Sequence, residues 1–415
     1  MIKYLEKFYN LPNISDNSLE KYSSLAKIHY SNLVSEINNN EIAPLHIASK
    51  TDDLPNIQNI ANKIRNNYKE ILVLGVGGSS LGARTLCSIK DNANIKLRFL
   101  ESIDSLSIKK QLQKINLKDV FFIVISKSGK TIETICQTLI TIDLLKQNNI
   151  SNLSDRFLFI TQDRKSEIGQ MAQNLDAKIL EHPSNIGGRY SYLTIVGLLP
   201  AALIGLDIFK IRKAANDILN NFINEKDLNK NNIIKSCIYQ IYLFDQGFRS
   251  TVLMPYIDSL YSFNNWYRQL WSESLGKNGF GLTPINSMGT VDQHSQLQLY
   301  LDGPKDKFFN FIINKNPDDD FKINDLENVK TIFGGKNLTD IVNAEQKSTI
   351  DILLSNNSPL RLFEMTEISE ESVSGLMMQM FLEAILIARV KNINPFDQPA
   401  VEKRKILSKK YINND

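Results

Sequence analysis

Residues 70–82 read EILVLGVGGSSLG and residues 120–131 read VFFIVISKSGKT. Each begins as a short apolar run and stops at a loop of small, hydroxylated or glycine residues before a helical pattern. Residues 120–125 are apolar throughout, as a strand covered on both faces must be; a half-exposed strand would alternate. Residues 95–100 and 156–160 repeat the form, which predicts an open parallel sheet with helices on both sides. A second set starts near residue 233, with strands at 251–254, 308–313 and 360–365 and helices at 293–301 and 373–389. Residues 207–230, polar and helical, read as the junction. The predicted fold is α/β: two tandem α/β/α sandwiches with mainly parallel sheets and helical extensions at both ends. The divisions are 1–45 (N-terminal helical extension), 46–206 (first sandwich, with the phosphate loops), 207–390 (second sandwich) and 391–415 (C-terminal segment).

Composition agrees with that plan. At 415 residues the chain exceeds one ordinary core, and 42% hydrophobic with 22% charged residues is globular. A net charge of +3 with no basic cluster gives no reason to expect nucleic acid as a partner. Cys87, Cys136 and Cys237 are far apart and form no metal-ligand or disulfide pattern, so no metal or other cofactor is expected and a reducing, cytoplasmic setting fits. The N-terminal residues MIKYLEKFYN lack an apolar signal region. Residues 193–206 (LTIVGLLPAALIGL) are too short to span a bilayer and contain Pro200, so they read as a buried helix, kinked or broken there, and no membrane partner is expected.

The loop at 75–82, GVGGSSLG, lies between a strand and a helix, where glycines allow close backbone approach and a helix N-terminus offers free N–H groups to an anion. It nearly matches a dinucleotide fingerprint through Gly75, Gly77 and the later Glu101, but Ser80 stands where the third glycine belongs. The second loop, SKSGKT at 126–131, imitates the end of a nucleotide P-loop, yet the glycine needed five residues before Gly129 is Val124. What remains is Ser126, Ser128 and Thr131 with Lys127 and Lys130. Parallel strands bring both loops to one sheet edge. Hydroxyls, backbone N–H groups and lysines together suit a phosphate monoester better than a dinucleotide.

Four further blocks carry groups able to do chemistry. NIGGRYSYLT (185–194) aims Arg189 from a glycine turn, and LWSESLGKNG (270–279) puts Glu273 near a helix end. MGTVDQHSQLQLYLDG (288–303) holds His294 among Asp292, Gln293 and Gln296, a setting for proton transfer. NPFDQPAVEKRK (394–405) places Gln398 and Lys405 about two helical turns apart. Taken singly, each has a bland structural reading, as a salt bridge, a solvated carboxylate or a charged tail helix.

Together, and in this order over roughly residues 70–405, these blocks resemble the signature segments of the glucose-6-phosphate isomerase family; GGRYS, ESLGK, DQHSQLQLYLDGP and NPFDQP carry the likeness. The resemblance implies two sandwiches of the SIS (sugar isomerase) type and a homodimer with shared active sites. It also implies interconversion of glucose 6-phosphate and fructose 6-phosphate through a cis-enediolate. Carried over by motif, Ser79, Ser126, Lys127, Ser128 and Thr131 would hold the phosphate, with Gly77 and Gly78 lining the loop. Glu273 would be the base, Arg189 the enediolate's counter-charge, and Gln398 a hydroxyl ligand. His294 from the neighbouring subunit, assisted by Lys405, would open the ring. Lys130 and Arg404 depart from the family pattern, which has a small residue and a glycine at these positions.

Overall fold

The computed structural model describes residues 3–90, 94–316 and 320–413. Its strands run β1 (Tyr4–Tyr9), β2 (Glu70–Leu74), β3 (Lys96–Leu100), β4 (Val120–Ile125), β5 (Phe157–Thr161), β6 (Lys178–Glu181), β7 (Ser250–Pro255), β8 (Thr283–Asn286), β9 (Lys307–Asn314) and β10 (Leu360–Met365). They form two five-stranded sheets. The first has the order β3-β2-β4-β5-β6 and is parallel throughout. The second, β1-β10-β9-β7-β8, is parallel except for β1, which pairs antiparallel with β10.

Strand alternation sends apolar side chains to both faces of each sheet. In the first, Leu72, Phe122 and Phe159 pack outward beneath the Ser105–Leu112, Ile132–Gln147 and Glu167–Asn174 helices. Ile71, Ile123 and Ile160 point the other way, into a core that also takes Leu253, Ile312 and Phe363 from the second sheet. The helices Tyr261–Leu275 and Glu370–Val390 lie in this common core, where Trp266 and Phe381 pack ring to ring. Glu370–Val390 is long and apolar enough to cross a membrane, but 89% of its apolar window is buried within the protein, as in a core helix.

Several expectations need adjustment. The N-terminal stretch read as helical opens with β1 before the Glu20–Asn38 helix begins. Glu6, a charged residue in β1, points inward, where its carboxylate accepts from Arg361, which also donates to Glu383. That buried pairing hides the strand from a search for apolar alternation. The predicted 293–301 helix is two short pieces, Val291–Ser295 and Leu297–Asp302. The junction segment forms the Ile208–Asn224 helix, whose Ile211, Ala215, Ile218 and Phe222 are buried, so it is an amphipathic core helix and not a spacer. Pro200 sits inside the Ile195–Leu203 helix, which ends three residues later.

Candidate active site

The register Leu74↔Val124 puts the C-terminal ends of β2 and β4 side by side, so the loops at 75–80 and 126–131 lie on one edge of the first sheet. Gly77 has φ +58° and Gly129 φ +65°, conformations that favour glycine over any residue with a Cβ. Gly77–Ser79 form a single 3-10 turn, leaving Ser79 partly exposed at its end. In the second loop Ser126 Oγ donates to Thr131 Oγ1 at 3.0 Å, and the Lys130 amide donates to Ser128 Oγ at 3.2 Å. Lys127 turns aside: its ammonium donates to the Ile186 carbonyl at 3.0 Å, and desolvation holds its pKa below the ordinary lysine value. The lysine's backbone stays in the loop while its side chain braces the segment that leads to Arg189.

Glu101, the residue that suggested a ribose contact, is occupied. It accepts from Ser80 Oγ at 2.5 Å and pairs with Arg84, so the fingerprint's acid is spent inside the protein.

The glycine turn 187–188 crosses the first phosphate loop. A Cβ on Gly78 would lie 2.2 Å from the Gly188 carbonyl carbon, and Ser191 Oγ donates to Gly78 O at 3.1 Å. Arg189 leaves this crossing nearly fully buried, at 3% exposure. Its guanidinium donates to Ser274 Oγ (3.0 Å), Glu273 Oε2 (3.0 Å), the Asp397 carbonyl (2.9 Å) and the Pro395 carbonyl. Glu273, with its side chain 27% exposed, receives a second donor: Gln269 Nε2 at 2.9 Å on Oε1. Gln269 and Glu273 are one turn apart on the Tyr261–Leu275 helix and so share a face. The same Gln269 nitrogen lies 2.9 Å from where a Cβ on Gly77 would be. The amide that donates to the carboxylate therefore packs against the phosphate loop, while the Gln269 carbonyl oxygen is buried without a partner.

The structure thus brings together Gly77, Gly78, Arg189 and Glu273, with Ser79, Ser126, Lys127, Ser128 and Thr131 on the adjoining sheet edge. Gln398 is half-buried at the end of the 394–398 turn whose carbonyls hold Arg189. His294 and Lys405 are not gathered in. His294 is exposed on the Val291–Ser295 helix, and Lys405, also exposed, bonds to Glu402 at 2.6 Å on a helix, Glu402–Asn413, with no buried residue. Sequence reasoning missed Gln269, Ser274 and Lys277. Gln269 was open to discovery, being four residues before a candidate base on a helix; Lys277, whose ammonium meets the Asp397 carbonyl at 2.8 Å, lies in the ESLGK block, but its partner is 120 positions away.

His182 precedes this region at the end of β6. It is fully buried, its Nδ1 lies 3.1 Å from the Pro183 carbonyl, and its Nε2 has no partner. Burial lowers its pKa to about 4, and the nearby Lys127 charge pushes the same way. Among the described residues no three His, Cys, Asp or Glu side chains are placed to hold a metal ion.

Known proteins resemble this chain over most of its length. The model of the phosphoglucose isomerase family matches residues 59–415. A probable glucose-6-phosphate isomerase of Methanococcus maripaludis is 34% identical over 347 residues, covering 82% of this chain and 78% of its own. The glucose-6-phosphate isomerase of Campylobacter jejuni is 32% identical over 401 residues, covering 92% and 95%. Among solved structures, a hypothetical protein from Thermus thermophilus superposes with TM-score 0.89 at 23% identity, over 98% of this chain and all of the other. A glucose-6-phosphate isomerase from Chlamydia trachomatis gives TM-score 0.82 at 17% identity, covering 99% of this chain and 88% of the other. A family match over most of the chain, joined to relatives above 30% identity across four-fifths of it, makes this chain a member of the phosphoglucose isomerase family.

Proposed function

We infer that the chain is an aldose–ketose isomerase interconverting glucose 6-phosphate and fructose 6-phosphate. The observation that carries the chemistry is the Arg189–Glu273 pair beside a phosphate loop: Gln269, which also donates to the carboxylate, packs against Gly77 of that loop. A sugar phosphate anchored by its 6-phosphate at Ser79, Ser126, Ser128 and Thr131, with the backbone N–H groups of both loops, extends its C1–C2 end toward Glu273. Two donors fix the direction of that carboxylate.

Removing the C2 proton leaves a carbanion beside a carbonyl, which water stabilises poorly. Glu273 takes the proton from C2 and returns it to C1 while the hydroxyl proton passes from O2 to O1 in the enediol, general-base catalysis worth about 10²–10⁴-fold. Arg189, already desolvated, places positive charge where the enediolate oxygens form, on the order of 3 kcal/mol per donor in comparable sites. One carboxylate serving both carbons keeps the transfer on a single face. Gln398 binds the sugar hydroxyls.

Ring opening needs groups that this chain alone does not assemble. We assign it to His294 of a second subunit, assisted by Lys405, in a cytoplasmic homodimer with shared sites. The exposure of His294 between Val291 (66% exposed) and Leu299 (52%) supports that reading, as does a C-terminal helix with Ile406 and Tyr411 bare at 62% and 70%. The division of the chain near residues 45, 206 and 390 belongs to the same proposal. A coupled assay is the test: fructose 6-phosphate supplied to the purified protein should yield glucose 6-phosphate without added cofactor. No turnover in either direction would sink the assignment.

A further inference from the structure

We propose that Lys277 is a positioning residue, a latch that fixes the turn 394–398 over the site and through it the Arg189 guanidinium. The proposal rests on the isomerase reading above.

The anchor is rigid at its base. The Tyr261–Leu275 helix ends at Gly276, where a Cβ would come within 2.6 Å of the Ser272 carbonyl, so the chain can fold back here only with glycine. The Lys277 amide donates to Leu275 O at 2.8 Å, and its carbonyl accepts from Phe280 at 2.9 Å. From this fixed point the side chain, 14% exposed, reaches the turn. Its ammonium meets the Asp397 carbonyl at 2.8 Å, the Asp397 carboxylate at 2.8 Å, and the Asn394 carbonyl.

The Asp397 carbonyl is the point of coupling, since it also accepts from Arg189 at 2.9 Å. One oxygen therefore sets the position of two cations, one of them the counter-charge for the enediolate. Beyond the turn, the described residues 399–413 bury no side chain. The apolar contacts of Ile393, Pro395 and Phe396 hold the turn down, but they do not fix which way its carbonyls face. Hydrogen bonds from Lys277 and Arg189 do that, because they have direction.

A latch of this kind acts on the reacting end of the substrate and leaves the phosphate end alone. Steady-state kinetics of wild type, K277M and K277R, with calorimetric binding of inorganic phosphate, test it. K277M should lower kcat by about tenfold, the scale of a modest misplacement of a catalytic group, and leave phosphate affinity at the wild-type value. K277R, which keeps the donors, should regain most of the loss. Unaltered kcat in K277M, or an equal fall in phosphate affinity, would overturn the proposal. Should K277M not fold, K277Q, which is shorter and uncharged and gives up the ammonium bond to the Asp397 carbonyl, carries the same comparison, and wild-type kcat there overturns it. A wild-type protein without turnover would instead sink the isomerase reading, which the first measurement reveals before any variant is compared.

Discussion

Gly78 and Gly188 meet backbone to backbone, and the contact is asymmetric. A Cβ on Gly78 would press to 2.2 Å from the Gly188 carbonyl carbon, whereas a Cβ on Gly188 would sit 3.4 Å from Gly78 Cα, an ordinary contact. The phosphate loop and the arginine turn are thus registered against each other at one point. Gly78→Ala should force them apart, costing about 1–3 kcal/mol of stability and about 100-fold in kcat/KM. Gly188→Ala should melt close to wild type. Thermal melts and kinetics of the two variants check this, and equal damage from both would refute the asymmetry.

Glu273→Gln keeps the shape and the bond from Arg189 but removes the base. It should fold, bind a sugar phosphate as wild type does, and lose about 10²–10⁴-fold in kcat. Retained turnover would remove Glu273 from its role. Calorimetry with glucitol 6-phosphate, which cannot isomerise, measures the binding separately.

If His294 serves the neighbouring subunit's site, His294→Ala and Glu273→Gln damage different halves of each shared site. Each variant alone should turn over poorly. Unfolded together and refolded as a mixture, they should regain activity, because mixed dimers contain one site with both residues. A mixture no more active than its parts would show that the sites are not shared. His294→Ala should also harm the closed-ring sugar more than open-chain analogues.

The buried His182 makes stability depend on pH. Its folded pKa is about 4, below the ordinary histidine value of 6.5, so the unfolded chain binds the extra proton between these values. Its contribution is fully present above pH 6.5 and is lost as pH falls toward 4, up to about 3 kcal/mol. Replacing His182 with Leu should flatten the stability curve in that window relative to wild type. Denaturant midpoints at pH 7 and pH 5 measure the difference, and parallel curves would mean that the imidazole titrates normally.

How far the sequence could be read depended on whether a residue's role was local. Residues 120–125 declared themselves because both faces of a central parallel strand are buried. The edge strands β6 and β8 have four residues each and no fully buried position, so nothing in their patterning separates them from loop. β1 escaped because its inward residue, Glu6, is neutralised by a partner 355 positions away. At the site, glycine and hydroxyl clusters were visible as loops, and Arg189 and Glu273 as members of motifs. Their mutual contact joins residues 84 positions apart and needed the fold. Lys127 shows the converse: a motif lysine whose charge is directed to a neighbouring carbonyl instead of the loop it belongs to.

The core shared by the two sheets has a mechanical consequence. Side chains from both sheets interlock in one continuous apolar mass around Trp266 and Phe381, so the two halves cannot swing like a pair of jaws without tearing it. Access for substrate and release of product must then come from small excursions at the rim, in the loops and the tail segment, while the catalytic floor stays still.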